Sequence, residues 1–143
     1  MAAWTSGSGL DPWLILIAML VVLIVLGCFM DSLAMILVVI PFFWPALADV
    51  NGGDYATAAN AAYGLSTVDM KVWFGIIALV VVELGLITPP VGLNVFIIAA
   101  MAQNAKMRDV FIGVMPFFAI EIVRIALLML IPALSLFLPT ILR

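Results

Sequence analysis

The strongest constraint on this chain is the run from Trp13 to Ala48, which is apolar throughout except for Asp31 and Ser32. As one straight helix, at 1.5 Å per residue, it would reach about 54 Å, against a hydrocarbon core of about 30 Å. The run must therefore bend. Its one interruption is Gly27-Cys28-Phe29-Met30-Asp31-Ser32, and residues 13–26 alone make a helix of only about 21 Å, short of a full crossing. The pattern predicts a re-entrant helical hairpin over 13–48, its tip inside the bilayer. Two full spans joined at 27–32 are the alternative. Irregular backbone at membrane depth survives only inside protein or beside a water-filled cavity, so the tip is a candidate site.

Composition agrees that lipid is the solvent. Of 143 residues, 68% are hydrophobic and 9% charged, where soluble domains carry about 25% charged residues, and a chain this short could not hide so much apolar surface from water. The net charge of −3 offers no basic surface for nucleic acid. With no histidine, imidazole acid–base chemistry and most transition-metal sites are excluded. Cys28 is the sole cysteine and reads as a small buried hydrophobe. An intramembrane enzyme using two facing carboxylates would have only Asp31, Glu83 and Glu121 to draw on, in no recognisable motif.

The rest of the chain divides readily. Residues 1–12 form a polar lead-in without a basic n-region, so the first hydrophobic segment is expected to serve as the membrane address itself. Asp11-Pro12 is a helix start, and Trp4 and Trp13 suit the membrane interface. Residues 49–71 are an extramembrane loop in which Asn51-Gly52-Gly53-Asp54 signals a turn. Asp54 is placed to cap a short Ala-rich helix ending near Gly64. A broken transmembrane helix follows over 72–103, then a polar connection and a C-terminal transmembrane helix over 110–139, bent or ended by Pro116, Pro132 and Pro139. Glu121 and Arg124 lie three apart and are expected to pair as a structural clamp. Lys106 and Arg108 place the 103–109 connection in the cytoplasm, and hence the 49–71 loop in the periplasm.

The break itself carries the chemistry. Within Gly85-Leu86-Ile87-Thr88-Pro89-Pro90-Val91-Gly92, each proline lacks the N–H that would bond the carbonyl four residues earlier. Pro89 thus frees the carbonyl of Gly85, and Pro90 that of Leu86. Gly92 permits unusual backbone geometry, and Thr88 adds a hydroxyl. Freed carbonyls plus a hydroxyl suit a hard monovalent cation, Na⁺ being the natural choice, and discontinuous helices build such sites in secondary transporters. A proline kink whose carbonyls are satisfied by water or neighbouring side chains is the structural alternative.

The segment Glu83-Leu84-Gly85-Leu86-Ile87-Thr88-Pro89-Pro90-Val91-Gly92-Leu93-Asn94 resembles the C-terminal half of the large membrane subunit of tripartite ATP-independent periplasmic (TRAP) transporters. Similar too are Gly27-Cys28-Phe29-Met30-Asp31 with Pro41 and Pro45, Trp73-Phe74-Gly75-Ile76-Ile77, Met115-Pro116-Phe117-Phe118, and the ending from Pro132 to Pro139. The resemblance implies an all-α membrane protein forming half of an inverted-repeat elevator transporter in the bacterial inner membrane. It implies sodium-coupled uptake of organic acids such as C4-dicarboxylates or sialic acid. The implied partners are the remainder of the large subunit, a small membrane subunit and a periplasmic substrate-binding protein. By the same resemblance a sodium site maps onto Gly27, Gly85, Thr88 and Val91, beside the break at Pro89, Pro90 and Gly92. Asp31, Glu83 and Asn94 become candidate pathway residues. The favoured reading of Asp31 from the residues alone is a helix cap, and Glu83 reads equally as a contact across a helix interface. The chain is about a third of the family's length, so a fragment not competent for transport alone is expected. A small membrane scaffold without transport activity is the alternative function.

Overall fold

The computed structural model describes residues 10–89, 91–102 and 106–142. Trp4, Pro90 and the start of the 103–109 connection lie outside the described residues. Among those described there are helices and turns but no strand. The helices are α1 (Pro12–Gly27), α2 (Ser32–Asn51), α3 (Thr67–Ile87), α4 (Leu93–Met101), α5 (Met107–Leu130) and α6 (Ala133–Ile141). By length and composition α2, α3 and α5 are each able to cross a membrane, whereas α1 is shorter. This is an all-α membrane protein.

Local chemistry explains most of the boundaries. The Asp11 carboxylate accepts the Trp13 N–H at 2.8 Å, and Pro12 occupies the first helical position of α1, where its missing N–H costs nothing. Ser66 caps α3 by accepting the Asp69 N–H. Asp31 sits at the N-cap position of α2 with extended backbone, yet its side chain makes no capping bond, so the cap expected of its carboxylate is not formed. Just before Pro41, over Met35–Val39, α2 widens into a π-type turn, the local adjustment typical where the regular bonding ladder is interrupted. Pro132 separates α5 from α6, while Pro116 and Pro139 are carried inside helices.

The segment between α2 and α3 departs from expectation. No helix forms behind Asp54; residues 52–66 are turns, bends and irregular backbone. Asn51 offers the chain better partners, donating from Nδ2 to the Leu65 carbonyl at 3.0 Å and accepting the Tyr63 N–H on Oδ1 at 3.3 Å. Asn60 Oδ1 accepts both the N–H and the hydroxyl of Thr57. Such side-chain bonds compete directly with the helical ladder. Gly52, with φ of +117°, terminates α2 in the left-handed region, which only glycine enters freely.

These bonds also fix the topology. Tyr63 donates its hydroxyl to the Pro12 carbonyl at 2.6 Å while its backbone is held by Asn51. The start of α1 therefore lies beside the end of α2, and the two helices form an antiparallel hairpin. Trp13 packs edge-on against Trp73, centroids 6.3 Å apart, at the start of α3. Gly27 at the end of α1 meets Gly85 near the end of α3, so α1 and α3 run parallel. Trp73 donates its indole N–H to the Leu128 carbonyl, and Gly92 lies against Phe111, which makes α5 antiparallel to α3. The core gathers on α3, where Trp73, Phe74, Ile77 and Val81 are fully buried with Leu16 and Leu23 of α1. Ile125 is the one buried residue described on α5.

Candidate functional site

At the end of α3 the backbone turns extended at Thr88, with ψ of 134°. It re-enters a helix at Gly92, whose φ of +53° is left-handed. A Cβ on Gly92 would stand 3.2 Å from the Thr88 carbonyl oxygen and 3.3 Å from the Ile87 carbonyl carbon, so the position demands glycine for both space and conformation.

The carbonyl accounting at the break is more specific than the proline pattern predicts. Pro89 cannot donate to the Gly85 carbonyl, but the Thr88 N–H does so at 3.1 Å. The Gly85 oxygen is thus not wholly released, and it keeps its second lone pair. The Thr88 hydroxyl donates to the Leu84 carbonyl at 2.6 Å, which leaves the lone pairs of Oγ1 available to an incoming cation. Opposite, the end of α1 is closed by the Cys28 and Met30 N–H groups, donated to Ile24 and Leu26 respectively. Among the described residues no backbone N–H is donated to the Gly27 carbonyl.

Tip and break touch through backbone. A Cβ on Gly85 would fall 2.7 Å from Gly27 Cα and 2.9 Å from the Ile24 carbonyl oxygen, separations that real side chains do not occupy. The close approach exists because both residues are glycine. Cys28 joins the same contact. Its Sγ lies 3.3 Å from the Ile24 oxygen and 3.5 Å from the Thr88 oxygen, within reach for a weak thiol donor. Cys28 is buried, as its apolar surroundings predicted, but its contact with the break was not visible in the sequence.

The structure therefore brings together Gly27, Gly85 and Thr88. Val91 is half-buried just beyond, and Pro89 is exposed at the break. Asp31, Glu83 and Asn94 are all exposed. Glu83 stands two residues from Gly85, a rotation of about 200° around the helix, so it points away from the tip. The Glu121–Arg124 ion pair forms at 3.2 Å. Among the described residues no group of three or more His, Cys, Asp or Glu side chains could hold a metal ion. What remains at tip and break is an oxygen-only set, backbone carbonyls and one hydroxyl.

Residues 1–134 match the family model described as the tripartite ATP-independent periplasmic transporter, DctM component. The chain belongs to this family. A similar protein is the C4-dicarboxylate TRAP transporter large permease protein DctM of Pseudomonas aeruginosa, 34% identical, covering 97% of this chain and 28% of the relative. The isethionate TRAP transporter permease protein DctMQ of Oleidesulfovibrio alaskensis is 31% identical over 92% of this chain and 18% of its own length. The sialic acid TRAP transporter permease protein SiaT of Haemophilus influenzae is 27% identical, with the same two coverages of 92% and 18%. The chain thus spans less than a third of the length of these relatives. No solved structure matches it. Membership in the DctM family, with three helices apolar enough to cross a membrane, makes this a multi-pass membrane protein of a transporter family rather than an enzyme. The scaffold alternative gains no support from any of these relatives.

Proposed function

We propose that this chain is the hairpin and broken-helix section of a large TRAP permease of the bacterial inner membrane. In this reading the assembled permease takes up an organic acid, of the C4-dicarboxylate, sialic acid or isethionate kind named for its relatives. It receives the acid from a periplasmic binding protein and works beside a small membrane subunit. Uptake is coupled to Na⁺ bound between the Gly27 tip and the Gly85–Val91 break, with Thr88 contributing its hydroxyl. Asp31 and Asn94 border the substrate path.

One observation carries the sodium assignment: backbone of the tip meets backbone of the break beside a hydroxyl whose own proton is already committed to Leu84. A cation at the edge of that contact would be met by oxygen acceptors from backbone and hydroxyl alone. The test is thermal unfolding of the purified chain in sodium against potassium at equal ionic strength, with Thr88→Ala alongside. Sodium is expected to raise the midpoint in the native chain and to lose most of that effect in Thr88→Ala. Equal protection by both ions would refute the site.

A further inference from the structure

Glu83 is a carboxylate at membrane depth with no polar partner among the described residues. It lies twelve residues beyond Lys71, about 18 Å along α3, which is near the middle of a hydrocarbon core about 30 Å thick. It is exposed, and among the described residues it has no hydrogen bond and no ion pair. Among the described residues no cation forms an ion pair with it. Arg124 is held by Glu121 at 3.2 Å, and Lys71 sits over the Trp44 ring, three turns away.

Ionisable side chains inside a bilayer almost always face protein or water and pair with an opposite group. Glu83 also does not stand on a surface built for lipid alone. The same side of α3 carries Val72, Gly75 and Leu79, spaced three or four residues apart, on a helix that is otherwise the core of the molecule. A Cβ built on Gly75 would meet nothing within 4 Å. Glycine at such a place lets a second helix approach closely.

We propose that this face of α3 receives a transmembrane helix from outside these 143 residues, and that the helix presents a guanidinium or ammonium group level with Glu83. The proposal rests on reading the chain as a section of a larger permease. The matched region is only 28% of the Pseudomonas relative, so most of such a permease is available to supply the helix. Charge sets the register of the contact and Gly75 sets its closeness.

The test uses the full chain, labelled with a fluorophore, in phosphatidylcholine vesicles with synthetic transmembrane peptides of leucine and alanine. One peptide carries a central arginine; its controls carry glutamine or leucine there. Energy transfer is expected to show the arginine peptide associating at least tenfold more tightly than the leucine one. Glu83→Gln should abolish that preference, whereas Glu121→Gln should keep it. Gly75→Leu should weaken association of the arginine peptide by filling its approach. Circular dichroism of each variant confirms retained helix. If the arginine peptide shows no preference, or if its preference survives Glu83→Gln, the proposal fails and Glu83 faces lipid or water. The readout involves neither sodium nor Thr88, so its outcome is separate from that of the sodium site.

Discussion

Two glycines decide how tip and break meet. A methyl group on Gly85 would collide with the Gly27 backbone at 2.7 Å and with the Ile24 carbonyl, and backbone cannot swing aside as a flexible side chain can. Overpacking of this kind costs about 1–3 kcal/mol. Gly85→Ala should therefore lower the stability of the chain by that amount in detergent unfolding, and raise the reactivity of Cys28 toward maleimide as the tip lifts. Gly27→Ala, whose nearest contact is 3.1 Å, should do less. Unchanged stability in Gly85→Ala would mean the helices do not approach as described. Tyr63, in the segment between α2 and α3, makes a second prediction. Burial, with the nearby Asp11 charge, pushes its phenol well above the ordinary tyrosine range, so the folded chain holds that proton where the unfolded chain releases it. The stabilisation is complete below about pH 10 and falls as pH rises beyond it, because the unfolded state then binds fewer protons. Tyr63→Phe should flatten that alkaline slope in a pH series of unfolding midpoints.

At the scale of elements, proline positions explain contacts that propensity does not. Pro132 has no N–H to give the carbonyl of Leu128, four residues before it, and the Trp73 indole of α3 donates to that carbonyl at 2.8 Å. The tryptophan thus joins α3 to α5 at the point where α5 lost a bond. Trp73→Phe should cost about 1–3 kcal/mol, the penalty for a buried acceptor left without a donor, plus some packing. In a Pro132→Ala background, where a backbone N–H returns, the cost should shrink; an undiminished cost in that double-mutant cycle would show that packing alone is at stake. The sequence made the boundaries at Gly27–Ser32 and Thr88–Gly92 legible, because glycine, proline and a lone Asp-Ser pair interrupt otherwise apolar runs. It did not reveal the fold of residues 52–66. There the decisive bonds come from Asn51 to residues twelve and fourteen positions away, and local pattern carries no record of them. The Trp73–Leu128 bond was half legible: Pro132 announces an orphaned carbonyl, but only topology says which donor arrives.

At the scale of the whole molecule, part of the proposed sodium site is assembled and a pathway is not. Gly27, Gly85 and Thr88 converge, yet Glu83, about 200° around α3 from Gly85, does not join them. Asp31 is exposed at the tip, Glu83 points away from it, and Asn94 is exposed on α4. A carrier for an organic anion needs polar groups lining one water-accessible route, since each unsatisfied polar group in hydrocarbon costs several kcal/mol. The long helix α5 contributes only Ile125 to the described core, so it has little protein around it to enclose such a route. The chain alone should therefore fail to transport. In vesicles holding only this polypeptide, an imposed sodium gradient should produce no accumulation of labelled succinate or sialic acid above vesicles without protein, whether or not a periplasmic binding protein is added. Sodium-driven accumulation by the chain alone would overturn that expectation, and would mean that copies of it complete the route between them.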